Sequence, residues 1–186
     1  MLRYIRMKSE HAEITLRWRL MEHVTKYMVT DIEDDIKKHK AWLENTIRNN
    51  CHMYWLIFFE QKYIGVINLS DIDYRNKKCT IGYYIGETQY LGLGALFLNP
   101  LYRYVFTKLN LNKVYGEVVE GNDTMLRIHK YHGWRKVGTY KNHIQKGGKY
   151  LDVHIMELLR SEWLNDKKNK VTLYENGDLH IEDFFE

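Results

Sequence analysis

The alternation of hydrophobic and polar residues predicts that the chain opens with a strand followed by helices. Leu2 to Met7 alternates between apolar and polar residues as a strand does, and Glu10 to Met21 carries apolar residues at helical spacing. A second helix is expected from about Asp31 to Arg48, because acidic residues gather in its first turn and basic residues follow. The first quarter of the chain therefore predicts one strand and two helices.

Three strand-like runs come next and predict an antiparallel meander. They are joined by short polar links and comprise Met53 to Phe59, Tyr63 to Ile72 and Cys79 to Ile85. A glycine-containing turn then leads into an apolar segment, Ala95 to Leu109, which we expect to be helical. The meander is therefore followed by a crossover rather than by another hairpin.

The last part of the pattern contains three more strands around one short helix. We expect a strand at Lys113 to Glu120, a helix at Asn122 to Tyr131, and strands at Trp134 to Gln145 and Tyr150 to Glu157. Strands and helices in this order predict a mixed α/β sheet in a domain of residues 1–165. Residues 166–186 are predicted to form an appended β-hairpin, since an Asn-Gly pair separates two alternating runs there.

Composition and charge narrow the class of protein. The chain has 186 residues, 45% of them hydrophobic and 28% charged, which excludes a disordered or linker-rich protein. No apolar run approaches the ~20 residues of a membrane span and no apolar signal core begins the chain, so we expect a cytoplasmic protein without membrane contact. A net charge of +4 suits anionic small molecules but falls short of a nucleic-acid-binding module.

Two cysteines, Cys51 and Cys79, are too few for a disulfide framework or a thiolate zinc site. We interpret both as buried reduced thiols and expect no bound metal.

The glycine turn is the first candidate for chemistry. It has the sequence Gln89-Tyr90-Leu91-Gly92-Leu93-Gly94 between a strand and a predicted helix, where free backbone amides can approach a diphosphate. The spacing excludes a P-loop and a dinucleotide-binding fingerprint. A helix N-terminus without a ligand is the alternative interpretation.

A second motif follows at the expected distance, and together the two resemble a known superfamily. Q-x-x-G-x-G followed by N-x-x-x-x-x-x-[Y/H]-x-x-x-G-[F/W], here Asn122, His129, Gly133 and Trp134, is similar to the GNAT acetyltransferases. The resemblance implies a mostly antiparallel mixed sheet of about seven strands, splayed after the fourth and flanked by about four helices. It also implies acetyl-CoA as cosubstrate.

The resemblance further implies a set of cofactor-binding residues. The pantetheine arm would contact Asn122 and the backbone of Tyr84 and Ile85, although Asn122 is equally suited to cap a helix. Pro100 departs from the family pattern and is expected to kink the helix after the turn. The diphosphate of acetyl-CoA would be held by Gln89, Leu91, Gly92, Leu93, Gly94 and Ala95.

Three residues are candidates for the catalytic steps. His129 stands where most relatives have a tyrosine that is thought to protonate the leaving thiolate. With reference pKa values of ~6.5 for imidazole and ~8.5 for a thiol, its imidazolium is expected to be partly available near neutrality. Tyr131 is the second candidate, and a histidine that only packs in the core is the alternative. Glu117 could orient or deprotonate the amine, or be a surface charge.

The N-terminal half resembles one subgroup, the N-acetyltransferases of pseudaminic acid biosynthesis. Those enzymes acetylate the 4-amino group of UDP-4-amino-4,6-dideoxy-N-acetyl-β-L-altrosamine. The resemblance covers roughly residues 10–160 and rests on Trp18-Arg19, Met28, His39-Lys40-Ala41-Trp42, Gly65-Val66-Ile67-Asn68 and Gly82-Tyr83-Tyr84.

A nucleotide sugar of this kind requires cations, a uracil site and an apolar pocket, and the sequence contains suitable residues. Arg19 and His39 suit the phosphates and uridine, and Met28 and Trp42 suit the deoxysugar methyl group. Asn68 and Ser70, on one strand face, suit the hydroxyls or the acetamido group. Trp42 on an apolar helix face is also a candidate core residue.

Other functions stay open at this stage. A GNAT enzyme acting on a polyamine or a protein N-terminus would use the same chemistry, and a polyamine would favour the acidic cluster Asp31, Glu33, Asp34 and Asp35. A module that only binds CoA or nucleic acid could use Lys167, Lys168 and Lys170. We expect direct attack of the amine on the thioester, because no activated Ser or Cys is visible. A homodimer is left open.

Overall fold

Seven strands form one mixed sheet in the computed structural model, which describes residues 2–166. The strand order is β1-β2-β3-β4-β5-β7-β6. The predicted mixed sheet is confirmed, whereas the predicted C-terminal hairpin lies outside the described residues. The strands are β1 Arg3–Arg6, β2 Met53–Phe59, β3 Lys62–Asp73, β4 Lys78–Ile85, β5 Lys113–Val119, β6 Arg135–Lys146 and β7 Lys149–Leu159.

The sheet opens between its fourth and fifth strands. Every neighbouring pair is antiparallel except β4 and β5, which run parallel. Their pairing covers only Lys78 to Thr80 against Lys113 to Tyr115, and beyond these residues the two strands part. A parallel pair requires a long crossover, which residues 86–112 supply. The predicted splay after the fourth strand is therefore confirmed, and it leaves a cleft within the sheet.

Helices cover both faces of this sheet. α1 (Ala12–Leu20) and α3 (Ile36–Arg48) pack on one face around a cluster that contains Trp18, Leu43 and Val66. The helices Asn99–Arg103 and Asp123–Tyr131 cover the other face, where the larger core contains Leu101, Phe106 and Ile67. Val66 and Ile67 belong to opposite faces because successive strand residues point in opposite directions. The remaining helices are α2 (Glu22–Thr25), α4 (Asn99–Arg103), α5 (Asp123–Tyr131) and α6 (Arg160–Asn165).

The acidic cluster does not lie in the first turn of a helix as expected. α3 begins at Ile36, and the Asp35 carboxylate caps it by accepting hydrogen bonds from the amides of Lys37 and Lys38 at 2.9 and 3.1 Å. Asp31, Glu33 and Asp34 belong to the loop before the helix. One capping carboxylate is enough to begin a helix, so the charge pattern overestimated its length by five residues.

The expected kink at Pro100 is wrong. The segment after the glycine turn forms 3₁₀ turns over Thr88–Phe97, and α4 begins only at Asn99. Pro100 thus occupies the first turn of α4, where a missing amide hydrogen breaks no helical bond. The helix then continues as a π-helical turn over Tyr104–Lys108.

The two cysteines differ in their surroundings. Cys79 is buried in the core, and burial raises the pKa of its thiol to about 12. Cys51 is exposed, contrary to the expectation that both thiols are buried.

Candidate active site

One cavity of about 930 Å³ begins where β4 and β5 part and continues under α1 and α3. It is lined by α1, the loop that joins α2 to α3, α3, the C-terminal half of β4, β5 and the start of α5. Of the candidate residues, those on the cavity wall are Arg19, Met28, His39, Trp42, Asn68, Tyr84, Ile85, Leu91, Gly94, Glu117, Asn122 and His129. Those that do not line it are Ser70, Gln89, Gly92, Leu93, Ala95 and Tyr131.

Hydrogen bonds from distant segments support the glycine turn at its start and in its middle. At its start, the Glu87 carboxylate accepts hydrogen bonds from Arg17 (2.8 Å) and from the Trp18 indole (2.9 Å). Within the turn, the Tyr90 hydroxyl donates to Glu60 at 3.0 Å. Side-chain hydrogen bonds from three other segments therefore support the start and the middle of the turn.

The two glycines of this turn have different surroundings. A Cβ at Gly94 would lie 3.1 Å from the Tyr83 hydroxyl oxygen, whereas a Cβ at Gly92 would meet nothing within 4 Å. Neither glycine has a positive φ. Close packing against Tyr83 therefore explains the glycine at position 94. Backbone conformation does not require a glycine at either position.

Asn122 stands at the start of α5 and on the cavity wall. Its Oδ1 accepts a hydrogen bond from the Met125 amide at 3.2 Å, so the residue caps the helix. An amide side chain also carries two N–H donors, and capping by Oδ1 does not use them. The capping role and a contact with a ligand are thus compatible.

His129 lies on the cavity wall but is only 6% exposed. Its ring stacks on Trp134, and its Nδ1 is buried without a hydrogen-bond partner. Burial, with a smaller contribution from His132, lowers the pKa of His129 to about 4. The imidazolium expected near neutrality is therefore wrong, because an ion at this site would lose its hydration.

The other two catalytic candidates lie apart from each other. Tyr131 is 60% exposed and does not line the cavity, although it follows His129 by only two residues. Glu117 is an exposed residue of β5 and does line the cavity. The structure thus brings His129 and Glu117 to one cavity and leaves Tyr131 outside it.

Arg19 is partly buried in the half of the cavity under α1 and α3. One of its terminal nitrogens donates to the Thr30 carbonyl at 2.8 Å. Burial lowers the pKa of Arg19, and Tyr84, the Asp31 carboxylate and Tyr54 act in the opposite direction. A guanidinium remains charged under all ordinary conditions, so this half of the cavity contains a fixed positive charge.

His39 is buried beside Arg19 in a defined tautomer. The Thr15 hydroxyl donates to the His11 carbonyl at 3.0 Å, so it accepts a hydrogen bond from Nε2 of His39, 2.9 Å away. Burial lowers the pKa of His39, and the charge of Arg19 lowers it further. His39 is therefore neutral, with its proton on Nε2.

An aromatic wall stands next to His39. The ring of Trp42 stacks on His39 with a centroid distance of 5.2 Å, and Tyr54 meets Trp42 edge-on at 6.0 Å. Trp42 is 46% exposed, so it is not the core residue considered above. The stack gives this half of the cavity a flat, largely apolar surface.

Ser70 orients the Asn68 side chain through a hydrogen bond and does not itself line the cavity. Nδ2 of Asn68 donates to the Ser70 hydroxyl at 2.8 Å, and Asn68 alone of the two lines the cavity. A Cβ at Gly82 on the adjacent strand would approach Oδ1 of Asn68 to 2.8 Å. The absence of a side chain at Gly82 therefore leaves room for the Asn68 amide.

Three side chains that the sequence did not indicate tie the acceptor loop, residues 26–35, and α2 to the rest of the site. Lys146, in the β6–β7 hairpin, donates to the Met28 carbonyl and to the Asp31 carboxylate, both at 2.8 Å. The Tyr27 hydroxyl donates to the Gly121 carbonyl at 3.1 Å. Nε2 of His23 bonds the Ile85 carbonyl at 3.1 Å. These contacts join segments far apart in sequence, so no local spacing could have revealed them.

Most carboxylates near the cavity already have partners. Glu33 pairs with Lys38 at 2.5 Å, Asp31 pairs with Lys146, and Asp35 caps α3. Among residues 2–166, no ion pair of Glu117 is found. Three of the four carboxylates of the acidic cluster are thus engaged, whereas no ion pair of Asp34 is found in the part of the chain that the structure describes.

The part of the chain that the structure describes contains no helix long and apolar enough to cross a membrane. Over the same residues, no group of three or more His, Cys, Asp or Glu side chains is placed to hold a metal ion.

Comparison with known proteins gives one family and several relatives, all of them acetyltransferases. Residues 1–135 match the acetyltransferase (GNAT) domain family. The chain is 24% identical to acetyltransferase PseH of Campylobacter jejuni over 127 residues, which cover 68% of this chain and 78% of the relative. It is 28% identical to spermidine N(1)-acetyltransferase of Vibrio cholerae over 137 residues, 73% of this chain and 75% of the relative.

A solved structure has the same fold. The spermidine N-acetyltransferase of Vibrio cholerae, in complex with CoA and spermine, superposes with a TM-score of 0.82 at 22% identity. The match covers 88% of this chain and 98% of that one.

Proposed function

Because the chain belongs to the GNAT family of acetyl-CoA-dependent acyltransferases, we propose that it acetylates the 4-amino group of a UDP-linked 4-amino-4,6-dideoxy sugar. The resemblance to the N-acetyltransferases of pseudaminic acid biosynthesis and the similarity to PseH support this acceptor. A cytoplasmic location, expected from the sequence, stays a prediction.

The observation that carries this acceptor is the arrangement around Arg19. A fixed guanidinium suits a diphosphate, which it can bind through charge-assisted hydrogen bonds. The neutral stack of His39 and Trp42 beside it suits uracil or the apolar face of a deoxysugar. The Asn68 amide, oriented by Ser70, suits the acetamido group or a hydroxyl.

The cofactor in this proposal lies in the cleft between β4 and β5. Its diphosphate meets the glycine turn near Leu91 and Gly94, and its pantetheine arm passes Tyr84, Ile85 and Asn122. The strands no longer pair with each other there, so their backbone groups can bond to an extended arm. The thioester then arrives between the acceptor half of the cavity and α5.

The reaction is direct attack of the neutral amine on the thioester carbonyl. The nitrogen–carbon bond forms, the carbon–sulfur bond breaks, and the amine gives up a proton. We assign the removal of that proton to the Glu117 carboxylate, which lines the cavity. His129 contributes a hydrogen bond from its neutral N–H to the departing thiolate, because its pKa of about 4 leaves only ~10⁻³ of the ring protonated at pH 7. Tyr131 has no role in this scheme.

A polyamine is the second candidate acceptor, and a protein N-terminus the third. The similarity to spermidine N-acetyltransferases favours the polyamine. A polycation would favour free carboxylates, however, and three of the four in the acceptor loop are engaged by Lys38, Lys146 and the start of α3. The positive charge of Arg19 also opposes a cationic substrate.

The deciding experiment compares four amines at saturating acetyl-CoA. These are UDP-4-amino-4,6-dideoxy-N-acetyl-β-L-altrosamine, the same sugar without UDP, spermidine, and a peptide with a free N-terminus. Acetylated product is followed by mass spectrometry, which avoids thiol reagents that would also label the exposed Cys51. We expect the UDP sugar to react fastest, since contacts to the nucleotide hold the amine in attack geometry. Preference for spermidine, or equal use of the free sugar, would refute the nucleotide-sugar acceptor and leave the acetyltransferase activity standing.

A further inference from the structure

The C-terminus of α5 ends in a turn that fixes the position of His132. Gly133 has a φ of +84°, which side-chain-bearing residues rarely adopt. Its amide donates to the Lys130 carbonyl at 3.1 Å, and the Trp134 amide donates to the His129 carbonyl at 2.9 Å. These two bonds form a Schellman motif, so His132 leaves the helix in one defined direction.

The imidazole of His132 reaches from this turn to the end of the glycine turn. It is 5% exposed, and its Nε2 lies 2.9 Å from the Ala95 carbonyl oxygen. Since a carbonyl can only accept, Nε2 carries the proton. Tyr102 and Tyr131 meet the ring edge-on at 5.2 and 5.1 Å, which restricts its rotation.

Ala95 follows directly after Gly94, the buried glycine of the turn. Because a peptide group is planar, the direction of the Ala95 carbonyl also sets the plane of the following amide. The peptide that His132 holds is therefore the one between Ala95 and Leu96, so the contact restricts the backbone at the C-terminal end of the glycine turn, one peptide beyond Gly94. Glu87 restrains the other end of the same turn through Arg17 and Trp18.

We propose that His132 is a positioning residue that holds the glycine turn in its diphosphate-binding geometry and joins it to the helix that carries His129. The proposal rests on the placement of the cofactor diphosphate at this turn, given above as part of the proposed function. His132 touches neither the acetyl group nor the amine in this scheme. It acts through the Ala95 carbonyl, and its effect is on cofactor affinity.

The test uses His132→Gln and His132→Met in the full chain. A glutamine can place an N–H near the position of Nε2, whereas a methionine has similar length and no donor. Isothermal titration measures the affinity for CoA and for pantetheine, which lacks the diphosphate. We expect His132→Met to weaken CoA binding about tenfold, the scale of one hydrogen bond, and to leave pantetheine binding unchanged. His132→Gln should restore most of the CoA affinity.

Three results would overturn the proposal: unchanged CoA affinity in His132→Met, equal weakening for CoA and pantetheine, or a failure of His132→Gln to restore binding. If His132→Met does not fold, His132→Asn takes its place, since its shorter amide cannot reach Ala95 and should weaken CoA binding alone. Gly94→Val separates this proposal from the diphosphate assignment. If that change leaves CoA affinity intact, the assignment of the turn fails, whatever His132 does.

Discussion

The indole of Trp134 lies flat against the imidazole of His129, with ring centroids 4.2 Å apart and planes inclined at 29°. Trp134 is itself held in place, because its indole N–H donates to the Tyr102 hydroxyl at 3.0 Å. The stack keeps water from one face of His129. It contributes to the burial that lowers the pKa of His129 to about 4 and favours its neutral state in the cavity.

Replacing His129 should slow the chemical step and spare cofactor binding. We expect His129→Ala to lower kcat by about 10²-fold, because the departing thiolate would lose its hydrogen-bond donor. CoA affinity, measured by titration, should change little. Tyr131→Phe is the matched control on the same helix and should retain full activity. If the control is the damaging change, the assignment of the two residues is reversed.

The low pKa of His129 also predicts how stability depends on pH. The unfolded chain takes up this proton near pH 6.5, whereas the folded protein takes it up only near pH 4. The free energy of unfolding should therefore be highest above pH 6.5 and fall as the pH drops toward 4, by up to about 3 kcal/mol from this residue. Denaturant titrations of the protein and of His129→Leu measure the difference. Parallel pH curves for the two would contradict the burial effect.

The glycine turn should tolerate a side chain at one glycine better than at the other. Gly94→Val places its Cβ 3.1 Å from the Tyr83 hydroxyl and should raise the KM for acetyl-CoA by about tenfold or more. Gly92→Ala projects into open space and serves as the control, with a small effect on KM. Initial rates at varied acetyl-CoA give both values. Equal effects of the two substitutions would show that packing against Tyr83 is irrelevant to cofactor binding.

Substitution of Arg19 or His39 should weaken acceptor binding and leave acetyl-CoA binding unchanged. Arg19→Ala is expected to weaken use of the UDP sugar by about 1.5 to 3 kcal/mol in kcat/KM, the scale of hydrogen bonds to charged groups. His39→Ala should cost about 0.5 to 1.5 kcal/mol, the scale of an aromatic stacking contact. The KM for acetyl-CoA should not change. Arg75→Ala removes an exposed arginine outside the cavity and is the control. Loss of acetyl-CoA affinity in the Arg19 variant would place this residue on the cofactor side.

Lys146 should affect the KM for the acceptor through the acceptor loop, without contacting the acceptor itself. Lys146→Met removes the hydrogen bonds to Met28 and Asp31, so the acceptor loop loses an anchor. We expect the KM for the acceptor to rise about three- to tenfold and the KM for acetyl-CoA to stay constant. Lys149→Met changes an exposed lysine across the same hairpin turn and should behave like the parent protein. An acceptor KM unaffected by Lys146→Met would mean that the loop holds its position unaided.

Most strands and helices could be predicted from the sequence, because the spacing of apolar residues within a short segment largely determines its secondary structure. A continuous apolar run rich in strand-forming residues located β2 at its observed bounds. The two glycine-containing motifs indicated a cofactor site, and Gly94, Asn122 and His129 from them do line one cavity. The start of α3 was misplaced because a run of acidic residues indicates a helix start without showing which carboxylate caps it.

The electrostatic state of the site could not be predicted from local patterns. The neutral state of His129 comes from its burial, to which the stacked ring of Trp134 contributes, and Tyr102 holds that ring from another helix. The anchoring of the acceptor loop depends on Lys146, more than 100 residues away in sequence. Spacing rules describe one element at a time, and these properties arise between elements.

The parting of β4 and β5 after three residue pairs gives the protein two sheet edges in its interior. An unpaired edge ordinarily invites a foreign strand and favours aggregation. In the proposed placement, the pantetheine arm bonds to these edges in place of a strand and so completes the sheet. Binding energy then becomes folding energy, and a cofactor concentration 100 times its Kd would add about 2.7 kcal/mol of stability. This placement therefore predicts that the melting temperature of the protein rises with the concentration of the cofactor.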